Sequence, residues 1–307
     1  MLPSQVKQTL EKQQYRIVGS YAAVKICYWT KQSLTAGRVC YKEKWYGIQS
    51  HRCLQFAPFL GCNFRCLHCW RFHSTDRKNL GWREIPEELE EDDPAFLLKF
   101  AIQKRKELLS GFGGNPKVEK KKFEESLKPT LLTASLTGEP MLYSRIGELI
   151  EVAKKFGMIT FLVTNGSLPQ RLERLDPLPY QLYISLHAPD EKTFLKIARV
   201  SSKEWEKVCQ TLELLPSLQT RKVLRITLIK DYNDDPKAYA KLVEKAEPDF
   251  VEVKGYEWVG ESKNRLPREA MPWMSDAKNF AIQLASETNY LIKGEFEPSC
   301  AVLLTKS

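Results

Sequence analysis

The sequence predicts an α/β chain built as a βα barrel or an open, partial version of one. Three observations predict it: six short apolar runs recur along the chain, amphipathic helical stretches fill the intervals, and polar turn formers follow several of the runs. In order, the runs are "LQFAPFL" (54–60), "TLLTASL" (130–136), "MITFLVT" (158–164), "QLYISLH" (181–187), "KVLRITLI" (222–229) and "DFVEVKG" (249–255). They are unbroken rather than alternating and rich in β-branched residues, the pattern of parallel strands buried on both faces. Helical patterns occupy 142–156, 190–199, 203–215 and 235–246. The last opens on "DDP", an aspartate cap with proline at the first helical position. Six-fold alternation of this kind implies a partial (βα)6 TIM-like barrel. A further helix at 275–288 and a strand at 301–305 close its C-terminal end.

Residues 1–53 precede the first strand as an N-terminal extension, and 54–307 form the barrel. Within the barrel, 70–129 is an insertion between the first and second strands. It holds the acidic run "EELEEDD", a helix from Pro94 to Ser110, and a basic stretch. Eight Lys or Arg against four Glu between 101 and 129, around "GFGGNP", read either as a mobile basic flap or as a solvated helix and loop. Hydrophobic residues make up 43% of the 307 and charged residues 28%, which excludes a disordered chain. No apolar run approaches the roughly 18 residues of a membrane span, and the N-terminus lacks the apolar core of a signal peptide. A cytoplasmic protein, with no membrane partner and monomeric, is expected. The formal charge of +9 is compatible with a polyanionic partner without requiring one.

Cysteine placement is the most informative feature. Of eight cysteines, six fall between residues 27 and 69, while Cys209 and Cys300 read as small core residues. In a reducing compartment such a block points to metal rather than to disulfides. Cys62, Cys66 and Cys69 lie in "GCNFRCLHCWR" with C-x3-C-x2-C spacing, just after the first strand. In βα barrels the strand C-termini carry function. Three thiolates on a [4Fe–4S] cube leave one iron open for a ligand. Zinc knuckles and ferredoxin fragments make similar spacings, so the spacing by itself leaves structural zinc open.

This motif, with Phe64 before its final pair, resembles the radical S-adenosylmethionine (SAM) superfamily. The resemblance implies that the open iron chelates the amino and carboxylate groups of SAM. The cluster then reduces the sulfonium, giving a 5′-deoxyadenosyl radical. Three further stretches fit the resemblance. "TGEP" after the second strand is similar to the superfamily's Gly-Gly-Glu motif, although its first glycine is Thr137 here, so Gly138 and Glu139 carry over. "TNG" and "SLHAPD" end the third and fourth strands, placing Asn165 and Ser185 to hydrogen-bond the ribose or carboxylate of SAM. Taken singly, each is an ordinary turn.

Upstream, Cys27, Cys40 and Cys53 follow C-x12-C-x12-C spacing. Three separate segments must converge if these residues share a centre. A second [4Fe–4S] cluster, a zinc site completed by His51, or three core cysteines all remain open on spacing. The combination of both triads with "SLHAPDEKTF" and "VKGYEWVGES" resembles, over almost the whole chain, the tRNA 4-demethylwyosine synthase family of wybutosine biosynthesis. With no room for the flavodoxin-like domain of eukaryotic members, the sequence looks archaeal-type. An external electron donor such as a ferredoxin or flavodoxin is then implied.

The family's reaction is lyase-type: N1-methylguanosine-37 of tRNA-Phe is converted to 4-demethylwyosine using pyruvate and SAM. Two [4Fe–4S] clusters are implied, the second chelating pyruvate as a Lewis acid. Lys42 lies two residues after Cys40, and the family's corresponding position is lysine too, so it is a candidate for a Schiff base with pyruvate. A surface lysine is the plain alternative and Lys44 the nearest rival. Trp70, Arg71 and "KGYEWVGESKNR" (254–265), with Tyr256 or Trp258 as a stacking platform, are candidates to meet the anticodon stem-loop. Two alternatives stay in view: another two-cluster radical SAM enzyme of the methylthiotransferase kind, and a non-catalytic zinc-stabilised RNA-binding protein.

Overall fold

The computed structural model describes residues 2–76, 81–87 and 91–307. Glu88, Leu89 and Glu90 of the acidic run lie outside the described residues. No helix among the described residues is long and apolar enough to cross a membrane. The chain forms two compact units. The first comprises the described residues of Met1–Asn63, Arg77–Val163 and Leu175–Tyr180; the second comprises Phe64–Asp76, Thr164–Arg174 and Gln181–Ser307.

In the first unit, α1 (Ser4–Lys12) leads into a short antiparallel pair, β1 (Arg16–Val18) and β2 (Ala22–Val24). Two short helices follow, α2 (Tyr28–Thr35) and α3 (Tyr41–Tyr46), before β3 (Cys53–Ala57). β2 pairs antiparallel with β3, and β3, β4 (Leu131–Ala134) and β5 (Ile159–Thr164) then run parallel. β3 stops at Ala57 because Pro58 has no N–H to donate to the ladder. Phe56, Leu132 and Phe161 are buried on these strands. Between β3 and β4 lie α4 (Pro94–Leu109) and α5 (Lys120–Ser126). The Asp93 carboxylate caps α4 by accepting from the Ala95 and Phe96 amides, satisfying donors that a helix start leaves open. The basic stretch is anchored: Leu109 forms a core with Ile26 and Leu34, against which Phe112, Val118, Phe123 and Leu127 pack. α6 (Ile146–Lys155) begins four residues later than its helical spacing predicts, because Pro140–Leu142 closes a separate 3-10 turn capped by Glu139.

In the second unit α7 (Pro169–Glu173) precedes β6 (Gln181–Leu186), followed by α8 (Glu191–Ala198), α9 (Ser202–Leu214), β7 (Arg221–Leu228), α10 (Pro236–Ala246) and β8 (Phe250–Gly255). β6, β7 and β8 are parallel. α11 (Met274–Ser286), β9 (Tyr290–Phe296) and β10 (Ala301–Lys306) complete the unit, with β10 antiparallel to both β8 and β9. Asp190 and Asp235 cap α8 and α10 through the Thr193 and Ala238 amides. All six predicted parallel strands are present within a few residues. The added ones are the three-residue β1 and β2, too short for a period to show, and β9. "YLIKGEF" of β9 alternates buried and open positions at a sheet edge, unlike the continuous runs of the inner strands.

Candidate metal centres and substrate-binding residues

Cys27, Cys40 and Cys53 sit on three separate segments of the first unit. Cys27 is the residue before α2, Cys40 the residue before α3, and Cys53 the first residue of β3. The Trp29 and Thr30 backbones favour the thiolate form of Cys27 and the Lys42 backbone that of Cys40, although neither cysteine caps its helix with a side-chain hydrogen bond. Burial, then the neighbouring Cys53, push the Cys27 thiol up to about 11. Burial, then Cys27, push Cys40 up to about 12. Burial raises Cys53 as well, opposed by the Thr133 hydroxyl 3.3 Å from its sulfur. The thiols of Cys27, Cys40 and Cys53 thus perturb one another. Partly buried thiols that repel one another as anions fit a centre in which a metal supplies the missing positive charge, and the all-sulfur donor set suits iron–sulfur or zinc. His51 holds the Glu125 carboxylate through its Nε2 at 2.7 Å, while its buried Nδ1 makes no hydrogen bond.

The side-chain charge of Lys42 favours the thiolate form of all three cysteines. Its Nζ stands 5.4 Å from the ring centre of buried Phe161, against which Tyr46 packs edge-on and Tyr180 lies stacked. Two residues on, Lys44 is exposed, because positions two apart on a helix face different ways. Sequence spacing left these two lysines close rivals; only Lys42 is held among the thiols.

Arg105, counted in the basic stretch, is instead among the largest fully buried side chains. Its Nε donates to the Cys53 carbonyl at 3.2 Å, its Nη2 to that of His51 at 2.6 Å, and its Nη1 to that of Ser126. Burial lowers its pKa to about 10.

The second triad lies within one loop. At its start, Gly61 passes so close to the Glu84 carbonyl that a Cβ there would collide with it, and the Cys62 amide donates to the Glu84 carboxylate at 3.2 Å. In the second unit the loop is tied down by backbone bonds from Arg65 to Ala198 and from Leu67 to Ile197, both 2.9 Å. Phe64 is buried edge-on against Phe194, serving as an anchor for the loop. Arg265 is a second clamp. Its Nη1 donates to the Cys66 carbonyl at 2.8 Å and its Nη2 to the carbonyls of Cys69 and Arg71 at 2.7 Å. It also presses on His73, whose pKa is lowered chiefly by burial, then by Arg71 and Arg265. His68 and His187 stack at 4.7 Å between ring centroids, and one ring nitrogen from each lies within 4.8 Å of the Cys66 sulfur. Burial keeps both imidazoles neutral, lowering His187 to about 4.

Gly138 has φ +75°, and a Cβ there would run into the Phe59 carbonyl; only glycine fits. The next amide, Glu139, donates to the Gly61 carbonyl at 2.8 Å, tying this turn to the start of the cysteine loop. The buried Glu139 carboxylate accepts from the Met141 amide at 3.0 Å. In the second unit the Asn165 Oδ1 accepts from both the amide and the hydroxyl of Ser167. Ser185, on β6, keeps partial exposure. The RNA-facing candidates fare differently. Tyr256 is buried with its hydroxyl bonded to Ser262, and Arg71 is buried against the Phe72 and Phe64 carbonyls; neither is a surface for a base. Trp258 donates its indole N–H to the Leu266 carbonyl and carries the Lys263 ammonium 4.7 Å over its ring.

Residues 57–243 match the radical SAM superfamily and 245–306 match a domain described as wyosine base formation. The S-adenosyl-L-methionine-dependent tRNA 4-demethylwyosine synthase of Pyrococcus horikoshii is 46% identical over 99% of this chain and 90% of its own length. This chain belongs to the tRNA 4-demethylwyosine synthase family. A rice synthase is 37% identical over 98% of the chain, which spans 46% of that protein. Among solved structures, one of TYW1 with a lysine–pyruvate adduct bound superimposes with a TM-score of 0.90 at 34% identity, covering 100% of this chain and 97% of that one. A crystal structure of archaeal TYW1 gives 0.81 at 31% identity. Membership makes the chain a radical SAM enzyme of wyosine formation, with SAM and a [4Fe–4S] cluster, and removes the methylthiotransferase and non-catalytic zinc alternatives. It also sorts the predicted site residues by origin. Cys62, Cys66, Cys69, Gly138, Glu139, Asn165 and Ser185 fall in the radical SAM stretch, whereas Arg265, clamping the cysteine loop, comes from the wyosine-forming stretch.

Proposed function

We propose that this synthase converts N1-methylguanosine-37 of tRNA-Phe to 4-demethylwyosine, with pyruvate and SAM as co-substrates. The observation that carries this reading is that the Lys42 charge acts on the thiols of Cys27, Cys40 and Cys53, in a chain whose near structural neighbour bears a lysine–pyruvate adduct. Cys62, Cys66 and Cys69 hold one [4Fe–4S] cluster, and Cys27, Cys40 and Cys53 hold a second. When bound, the clusters supply reductive cleavage of SAM and a Lewis-acidic iron for the pyruvate oxygens.

The chain's own residues do the rest. The Lys42 amine attacks the keto carbon of pyruvate and releases water, leaving a cationic carbon–nitrogen double bond. That bond accepts a radical, and gives up its carboxylate, more readily than a ketone does. The aromatic wall of Phe161, Tyr46 and Tyr180 keeps this end of the site poor in water. Gly138 and Glu139 meet the amino group of SAM, and Asn165 and Ser185 its ribose or carboxylate. The basic surface attracts the anticodon stem-loop. Electrons come from an external ferredoxin or flavodoxin, and the enzyme works as a cytoplasmic monomer.

The test is mass spectrometry of nucleosides after anaerobic incubation of the reconstituted enzyme with N1-methylguanosine-bearing tRNA-Phe, SAM, pyruvate and reductant. The expected result is loss of N1-methylguanosine with matching gain of 4-demethylwyosine, dependent on pyruvate. Cleavage of SAM without any change at this nucleoside overturns the substrate assignment.

A further inference from the structure

Arg105 is a buried charge that the reaction above does not use. It sits on α4 with 1% of its surface exposed. All three of its hydrogen-bonding nitrogens donate to backbone carbonyls, those of His51, Cys53 and Ser126. Among the described residues no carboxylate lies within ion-pair distance of it. The nearest acid in sequence to its partners, Glu125, is spent on His51 at 2.7 Å. Taking a guanidinium out of water without an anion costs several kcal/mol, and neutral carbonyls recover only part of that. A brace between three carbonyls needs donors but no charge. The charge itself therefore requires a partner, and the residue that its Nε holds by the carbonyl at 3.2 Å is Cys53, one of the three upstream cysteines. Thiolate ligation leaves an iron–sulfur cluster with net negative charge, which grows on reduction and helps set its potential.

We propose that Arg105 is the built-in counter-charge of the upstream cysteine centre. The proposal rests on the two-cluster reading above. The positive charge stabilises the loaded centre, and more so once reduced. The metal-free chain carries the charge uncompensated, so loading and Arg105 stabilise each other.

The experiment isolates the upstream centre in the full-length chain by replacing Cys62, Cys66 and Cys69 with alanine, followed by anaerobic reconstitution. Iron content and midpoint potential are then compared for Arg105, Arg105→Lys and Arg105→Gln. About four irons per chain are expected with Arg105; no iron there sinks the two-cluster reading rather than this inference. Arg105→Lys, which keeps the charge but loses the three-pronged fork, should keep iron at a similar potential. Arg105→Gln, which keeps a donor without charge, should lose iron or shift the potential downward. Equal iron and equal potential for Gln and Arg overturn the counter-charge. Circular dichroism reports whether Arg105→Gln is folded. If it is not, Arg105→Lys decides: a folded lysine variant that holds no iron contradicts the proposal, and one that holds it at the parent potential supports it.

Discussion

The two cysteine triads are built in opposite ways. Cys62, Cys66 and Cys69 occupy eight consecutive positions, so the chain itself brings them near one another and the fold has only to steady the loop. Cys27, Cys40 and Cys53 are spread over 27 residues, two at helix starts and one at a strand start, so only the fold can bring them together. Each triad nevertheless depends on one arginine from far along the chain. Arg265 holds the Cys66 and Cys69 carbonyls, while Arg105 holds that of Cys53. Arg265 has the Asp76 carboxylate at 4.0 Å; Arg105 has no carboxylate at ion-pair distance among the described residues. The local triad thus has a clamp whose charge is already answered, and the dispersed triad one whose charge waits for its thiolates.

Substitutions separate the two regions, beginning with the largest effect. Cys40→Ala should lower iron after reconstitution from about eight to about four per chain and abolish 4-demethylwyosine formation. Reductive cleavage of SAM should persist, as measured by 5′-deoxyadenosine release. Iron falling to zero would instead show that the triads load as one. Lys42→Ala should retain both clusters yet reduce product formation to below about a hundredth of the parent rate, the scale of removing a group that acts in the reaction itself. Lys44→Ala should leave that rate nearly unchanged. Arg265→Ala removes bonds from a charged donor to four backbone carbonyls, each worth about 1.5–3 kcal/mol. Chemical denaturation should register a loss of about 3 kcal/mol or more, with faster release of the downstream cluster's iron on dilution and slower release upstream. At the small end, Tyr256→Phe should cost only about 1 kcal/mol, because Ser262 keeps its own bond to the Val259 carbonyl at 2.6 Å. A large loss of tRNA affinity in that variant would restore Tyr256 as a base platform.

The legible parts of the molecule were those in which neighbours in sequence do the physical work. The inner strands are continuous apolar runs, and helices such as α10 announce themselves with an aspartate and a proline. The downstream triad is a local spacing. Gly138 was legible as a turn former, and its positive φ under the Phe59 carbonyl shows why no other residue fits. The arginines were not legible. Arg105 read as one charge in a basic stretch and Arg265 as the end of an RNA-facing segment, because nothing local marks an arginine whose partners are carbonyls tens to hundreds of residues away. Tyr256 and Arg71, open as RNA-facing candidates, turn out buried for a related reason. An aromatic or cationic residue at a strand end looks the same whether it meets a ligand or a backbone oxygen.

The central claim, that the dispersed triad marks the place where Lys42 takes up pyruvate, is tested most directly by borohydride reduction with carbon-labelled pyruvate. Peptide mapping then locates the label. One stable label per chain on the peptide carrying Lys42, absent from Lys42→Ala and undiminished in Lys44→Ala, is the predicted result. Label on Lys44, or none at all from an enzyme that still makes 4-demethylwyosine, would contradict it.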